Sequence, residues 1–306
     1  MSITKLNLPG GLIQNAGASV IGAGELFTTG NVYYVDSASG SDGNLGTDPA
    51  FPKATIDSAV TAATANNGDI IVLMPNHAQN LTNATAFQLD KAGLTVIGLG
   101  EGRNRPTFSF TGTSGAVNID SADCRISNVV FVADVSAVVQ GIDLDANDFT
   151  LDNCEFNFAD TGDDFINAVN AGASDRFTFV NNKVIFENAV AGIAPGLTGI
   201  KLVGNTDVVI SGNIFTGAFS SACIYDSNAG GEEGDHYEII GNTFYNSTAT
   251  LGLAIDLNST ARGILANNYA GILAALAPFD PASLLCLENY ATTAIDRSGV
   301  IVPAVL

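Results

Sequence analysis

Along residues 94 to 290, apolar and polar positions repeat in units of 21 to 31 residues. Six segments share one plan: apolar residues, an asparagine, then an apolar and usually aromatic residue. They read RISNVVF (Asn128, Phe131), LDNCEF (Asn153, Phe156), FVNNKVI (Asn182, Ile185), ISGNIF (Asn213, Phe215), IIGNTF (Asn242, Phe244) and LANNY (Asn268, Tyr269). A weaker seventh is LENY (Asn289, Tyr290). The step from asparagine to aromatic shortens from three residues to one along the series, so the register is imperfect. A second short strand recurs ahead of most segments, as in VNID (117–120), GIDLD (141–145), GIKLV (199–203), CIYD (223–226) and AIDL (254–257).

Periods of this length mark solenoids, propellers or arrays. The units carry no 3.6-residue apolar face, are too short for propeller blades, and repeat Asn and Phe where a leucine-rich repeat would repeat Leu. A right-handed parallel β-helix fits: each coil pairs only with the coils above and below, about 4.8 Å away, so equivalent side chains stack. Asparagine tolerates the left-handed backbone of a sharp corner, and its amide can bond its counterparts. The predicted ladder is Asn128, Asn153, Asn182, Asn213, Asn242 and Asn268, with Phe131, Phe156, Phe215 and Phe244 filling the core. Seven to nine coils are expected.

Upstream, residues 1–30 form a Gly-rich arm without a stable period. NVYYVDS (31–37) and DIIVLM (69–74) alternate as strands. Between them Thr55 is placed as an N-cap, with Ile56, Ala59, Val60 and Ala63 at helical spacing. The expected division is an arm (1–30), a β-helix (31–290) with a capping helix at about 55–66, and a tail (291–306).

Charge and cysteine usage narrow the function classes. The formal charge is −20, with 31 acidic and 11 basic residues, which disfavours nucleic acid as a partner because that binding rests on Lys and Arg neutralising phosphates. The nearest basic grouping is Arg103 and Arg105. No apolar run approaches the roughly 20 residues of a membrane span. Only 14% of residues are charged, against about 25% in ordinary soluble proteins, which points to subunit contacts. Cys124, Cys154, Cys223 and Cys286 make no CxxC pair and read as buried free thiols. The opening residues lack the pattern of a signal peptide, so the protein is expected to be made and kept in a cytoplasm or released by lysis.

The stretch from Tyr34 to Leu81 resembles the opening segment of pectin-lyase-like β-helix proteins. The likeness rests on Val35-Asp36, Gly40, Asp42, the Pro52-to-Val60 run and Gly68-Asp69-Ile70-Ile71-Val72. With the later coils it covers about residues 31–290, and it implies a fold, not a reaction. The first 37 residues also look like those of phage and prophage virion proteins, in which a β-helix body follows a short arm and serves as a tail spike or a head decoration protein, typically trimeric.

Two chemistries find partial matches in the chain. A polygalacturonase-like hydrolase needs paired carboxylates about 6.5–9.5 Å apart if inverting. Gly162-Asp163-Asp164 and Asn205-Thr206-Asp207 match two of its motifs, in reverse order, and its G-H-G and R-I-K motifs are absent. A pectate-lyase-like enzyme needs Ca²⁺ on carboxylates (Asp143, Asp145, Asp152, Glu155, Asp175) and a base (Arg176, Lys183, Lys201). The run Glu232-Glu233-Gly234-Asp235-His236 and the isolated His77 read as loop residues. A glycan groove lined by surface aromatics is not expected, given no Trp and core-facing Phe.

The resulting expectation is a non-enzymatic virion protein without cofactor: a homotrimeric decoration or cement subunit contacting the major capsid or another shell protein, with no nucleic-acid or membrane partner. Two alternatives stay open, a spike that binds or cleaves host-surface polysaccharide, and a Ca²⁺-dependent lyase or a hydrolase.

Overall fold

The computed structural model describes residues 6–7, 13–14, 28–172, 174–188, 196–227, 234–249, 252–274, 277–293 and 299–300. The 1–30 arm and the 291–306 tail therefore lie largely outside the described residues. The body is an all-β, right-handed parallel β-solenoid whose turns each supply one strand to three sheets. The first sheet runs from Val32–Val35 to Leu285–Leu287, the second from Ala78–Leu81 to Tyr290–Thr293, and the third from Phe87–Leu89 to Phe279–Asp280. The third sheet has eight strands, which counts the complete turns. Gly299–Val300 pairs antiparallel with the last strand of the second sheet.

The segments read from sequence as single strands bend in their middle. Arg125–Ser127 belongs to the first sheet and Val130–Ala133 to the second, joined by the two-residue corner Asn128-Val129. The inward pattern slips by one residue at such a corner, from Ile126 to Val129 and Phe131, and in sequence that slip reads as imperfect register rather than as a bend. The recurring second strands form the third sheet, as Val117–Ile119, Val138–Leu144, Gly196–Leu202, Phe219–Asp226 and Leu253–Asp256, and Phe165–Ala171 adds one that was not read from sequence.

Inside, register aligns Phe131, Phe156, Val184, Phe215, Phe244, Ala270 and Ala291 in one column. Ile185, Tyr269 and Tyr290 are therefore not the core members their spacing implied. Tyr269 and Tyr290 point outward, 48% and 50% exposed, because Ala270 and Ala291 take the inward positions at the narrowing end. Phe131 stacks on Phe156 at 5.0 Å and Phe215 on Phe244 at 5.1 Å.

One helix, Ile56–Ala62, packs against strands 32–35, 70–73 and 87–89, burying Ile56, Ala59 and Val60. Thr55 caps it by accepting from the Ser58 N–H, and Asp42 accepts from the N–H groups of Ala54 and Thr55. It is shorter than the expected 55–66. The Lys91 ammonium takes the carbonyls of Val60, Thr61 and Ala63, and the Asp69 carboxylate captures the Thr64 N–H at 2.7 Å, ending the helix early. Buried Lys53 donates to the Asn44 carbonyl and to Ser58 Oγ, pinning the 37–54 loop.

Candidate functional site

The corner between the first and second sheets holds two columns of side chains, not the single ladder expected. Its first position is left-handed throughout: Asn128 (φ 58°), Asn153 (54°), Asn181 (56°), Gly212 (67°), Gly241 (69°), Asn267 (55°) and Glu288 (48°). Its second position is buried: Val129, Cys154, Asn182, Asn213, Asn242, Asn268 and Asn289. Asn128 and Asn153 thus serve the corner backbone, while Asn182, Asn213, Asn242 and Asn268 form the buried ladder. This one-residue change of position accounts for the shortening from three residues to two; the further step to one arises because Tyr269 and Tyr290 precede the inward Ala270 and Ala291.

The buried ladder is a closed set of bonds. Each side-chain carbonyl accepts the backbone N–H of the asparagine one turn earlier, at 2.7 Å from Asn182 to Asn213 and 2.9 Å from Asn213 to Asn242. Each amide nitrogen donates to a first-sheet carbonyl, Asn213 to Phe179 and Asn242 to Ile210. Every polar atom of these interior amides has a protein partner, so this column is structural and offers nothing to a ligand.

Outside the same corner lies a groove of about 670 Å³, lined among others by Arg103, Arg105, Asn128, Asn153, Asn181 and Lys183. One wall is the 99–106 loop, which replaces the two-residue corner of other turns. Asn128 ties it down, donating to the carbonyls of Gly98 (2.8 Å) and Gly100 (3.0 Å). A Cβ on Gly98 would lie 2.2 Å from the Asn128 carbonyl oxygen, so only glycine lets the loop leave here. Arg105 bridges the groove to Glu155 at 2.7 Å and to the Asn153 carbonyl at 3.3 Å. Asn153 donates to Asn128 Oδ1 at 3.1 Å. Arg103 and Lys183 are exposed at its rim. The result is an amide-floored trough in which Arg103, Arg105 and Lys183 face Glu101 and Glu155, an excess of one positive charge on a chain of net charge −20. The Gly/Pro-dense run from Gly98 to Pro106 signalled this loop, but a trough made by neighbouring turns leaves no contiguous motif.

The candidate catalytic groups do not converge. Asp163 and Asp164 lie between the second and third sheets, where burial is the main force raising both carboxyls, aided by neighbouring acids. Asp207 lies at the corner between the third and first sheets, so the two motifs do not face each other. There it belongs to a left-handed column of Asp123, Asp148, Arg176, Asp207 and His236 with alternating partners. Arg176 binds Asp148 at 2.6 Å and holds that carboxyl below its usual range. His236 Nδ1 meets Asp207 at 3.0 Å. Glu232 and Glu233 fall outside the described residues. Of the three bases, Arg176 is in this corner, Lys183 on the second sheet and Lys201 on the third, so they share no face. Lys201 lies in register with Asn170, which follows Asp143. Asp143 is raised chiefly by burial, with Asp145 and Asp120 adding to the effect. Asp152 is held by Arg125 at 2.7 Å, and the Asp175 N–H is bonded by Asn147. Among the described residues no three acidic, His or Cys side chains group as a metal site. The cysteines are free thiols: Cys124, Cys154 and Cys223 are buried and Cys286 is half-buried. Burial pushes Cys154 up to about 12.

His77 lies in the loop between strands 70–73 and 78–81, as expected, but is fully buried there: its Nδ1 accepts from the Ser37 N–H at 3.0 Å and its ring lies 5.5 Å from Phe108. Burial pulls its pKa down to about 4, against an opposing pull from Asp36. Between about pH 6.5 and 4 the unfolded chain binds a proton that the folded chain refuses, so stability falls as pH drops through that window. The expected contribution is about 3 kcal/mol. His77→Asn, which keeps an acceptor for Ser37, is expected to flatten that part of the decline in urea titrations at pH 7 and 4. Equal wild-type and variant slopes would refute this assignment.

No protein-family model matches the chain, and no curated protein matches it. Solved structures do. Pectate lyase Pel9A is 14% identical with a TM-score of 0.55, covering 88% of this chain and 78% of that one. The pectin methylesterase from Aspergillus niger is 16% identical with a TM-score of 0.52, covering 90% and 91%. ORF18 of Geobacillus virus E2 is 12% identical with a TM-score of 0.44, covering 78% and 57%. The chain has the pectin-lyase-like parallel β-helix fold. At these identities the likeness is one of fold.

Proposed function

We propose that this protein is a non-catalytic β-helix that binds an acidic polysaccharide in the groove at its asparagine corner, as a receptor-binding component of a phage virion. The observation that carries the reading is the groove itself. It places Arg103 and Lys183, and the outer-corner amides, along a trough on an otherwise strongly acidic surface. The Asn153 side-chain oxygen and the Asn181 amide, one turn apart, suit the hydroxyls of successive sugars, and the cations suit carboxylates. Binding without cleavage is supported by the scatter of the candidate acids and bases over different faces. The phage setting rests on the resemblance of the first 37 residues to virion proteins, with the 56–62 helix in the place of an end cap.

Calorimetric titration with polygalacturonate and alginate tests it, alongside assays for reducing ends and unsaturated products with added Ca²⁺. Binding without product is expected, weakened about tenfold or more by Arg103→Gln with Lys183→Gln. Product release would overturn the non-catalytic part, and absence of binding the whole reading. A decoration or cement subunit is a second reading, favoured by exposed Ile264, Leu285 and Leu287 as a face for a shell protein. Hundreds of copies per virion would select it; a dozen would select a spike.

A further inference from the structure

The trough at the asparagine corner is closed at one end and open at the other. From Asn128-Val129 to Glu288-Asn289 each corner between the first and second sheets is two residues long. One turn earlier the same corner opens into the loop 99–106. That loop sits directly on the Asn128 corner, which donates to its Gly100 carbonyl, and its Arg105 reaches past Asn128 to Glu155 and the Asn153 carbonyl. A chain laid along the column of corners therefore runs into the loop at the level of Asn128. In the other direction the next two corners are Gly212 and Gly241, both exposed and both at positive φ. That backbone does not itself demand glycine, since Asn128, Asn153, Asn181, Asn267 and Glu288 adopt it at the equivalent position. Side chains are missing only at the two corners that follow Asn181. A Cβ on Gly212 would stand 2.7 Å from Asn181 Oδ1, whereas one on Gly241 would meet nothing within 4 Å. The floor thus leaves Asn181 over a stretch with nothing standing in its way.

We propose that the trough recognises the end of an acidic polysaccharide chain and not its interior, with the terminal sugar against the 99–106 loop and the rest of the chain leaving over Gly212 and Gly241. This rests on the reading of the trough as a polysaccharide site. The three corners Asn128, Asn153 and Asn181 span about 10 Å at the spacing of stacked strands, so the floor holds only a short terminal segment. Asn128 is occupied by its bonds to the loop and to Asn153, which leaves Asn153 Oδ1 and the Asn181 amide for the sugars. The closed end carries the group that tells an end from an interior. A terminal sugar has a hydroxyl where an interior sugar has a glycosidic oxygen, and only the hydroxyl can donate. Glu101 lines this end as an exposed acceptor whose side chain is not spent on capping the 102–104 turn. Its carboxylate accepts from such a hydroxyl and repels the carboxylates of a chain running past. Lys183, in register with Glu155 at the open side, suits the carboxylate of a following sugar.

Calorimetric titration of the full chain with polygalacturonate and alginate, each as the trimer and as longer fractions of defined length, tests the proposal. The expected result is one protein bound per saccharide chain at every length, with a dissociation constant per chain that changes by less than about twofold from trimer to polymer. Protein bound in proportion to chain length overturns end recognition and leaves the polysaccharide reading standing. Absence of binding to every fraction overturns both. Gly241→Asp places a carboxylate beneath the exit, in open space and at a backbone conformation that Asn and Glu adopt at other corners. In low-salt buffer it is expected to weaken polymer binding about two- to fivefold and to leave the trimer, which does not reach it, unchanged. An equal loss for trimer and polymer, or none for the polymer, overturns the proposed path of the chain.

Discussion

Asn213→Ala is expected to destabilise the protein by about 3–5 kcal/mol, since two buried backbone groups lose their partners together. The Asn182 N–H loses its acceptor, and the Phe179 carbonyl loses its donor. Neither can reach water, because the ladder position is 1% exposed. The side chain's own bond to Asn242 is lost as well. Asn153→Ala provides the contrast. Its amide bonds only the Asn128 side chain and is exposed, so a loss of about 1 kcal/mol is expected, part of it from placing alanine at positive φ. Urea midpoints of the two variants against wild type measure the difference. Equal losses would show that the interior and exterior columns do not differ in energetic role.

Phe215→Ala is expected to cost about 3–5 kcal/mol, as a large buried side chain is deleted where the surroundings cannot collapse. Its ring is held by Phe244 at 5.1 Å and Phe179 at 6.2 Å. Gly199 is small because a Cβ there would stand 2.8 Å from that ring. The neighbouring turn offers only Val184 in the column, too short to fill the space. Tyr269→Ala, one of the residues that sequence spacing places in the core, is expected to change folding stability by less than about 0.5 kcal/mol. A large loss at Tyr269 in the monomeric protein would reverse the assignment of inward and outward positions.

The repeat, its period and the inward phenylalanines were readable from sequence because a solenoid writes one local pattern many times. The three strands per turn were only partly readable. At a two-residue corner such as Gly212-Asn213 the inward positions run Ile210, Asn213, Phe215, so the bend shows only as a one-residue slip whose middle member is polar and adds nothing to the hydrophobic pattern. Asparagine itself was ambiguous: Asn153 is chosen for its left-handed backbone and Asn213 for its amide bonds. One residue type serving two purposes at adjacent positions reads as a slipped register. Tyr269 was misplaced because its neighbour Ala270 is a small core residue that carries little weight in an aromatic pattern. The groove was hardest to foresee. Arg103 and Lys183 are 80 residues apart in sequence and become neighbours only through stacking of the intervening turns. His77 gave no signal of burial, because its acceptor role for Ser37 depends on a turn 40 residues earlier.

The ladder bonds of Asn182, Asn213, Asn242, Asn268 and Asn289 are the same from turn to turn, each amide addressing its nearest neighbour along the axis. Cohesion of this kind is local, so the stack behaves as a one-dimensional chain of equivalent links. Such an arrangement lets length vary by whole units: a turn gained or lost by duplication or deletion rejoins its neighbours through the same bonds. The distance between the corner groove and the last turns of the rod is then a quantity that evolution can lengthen or shorten without redesigning either end.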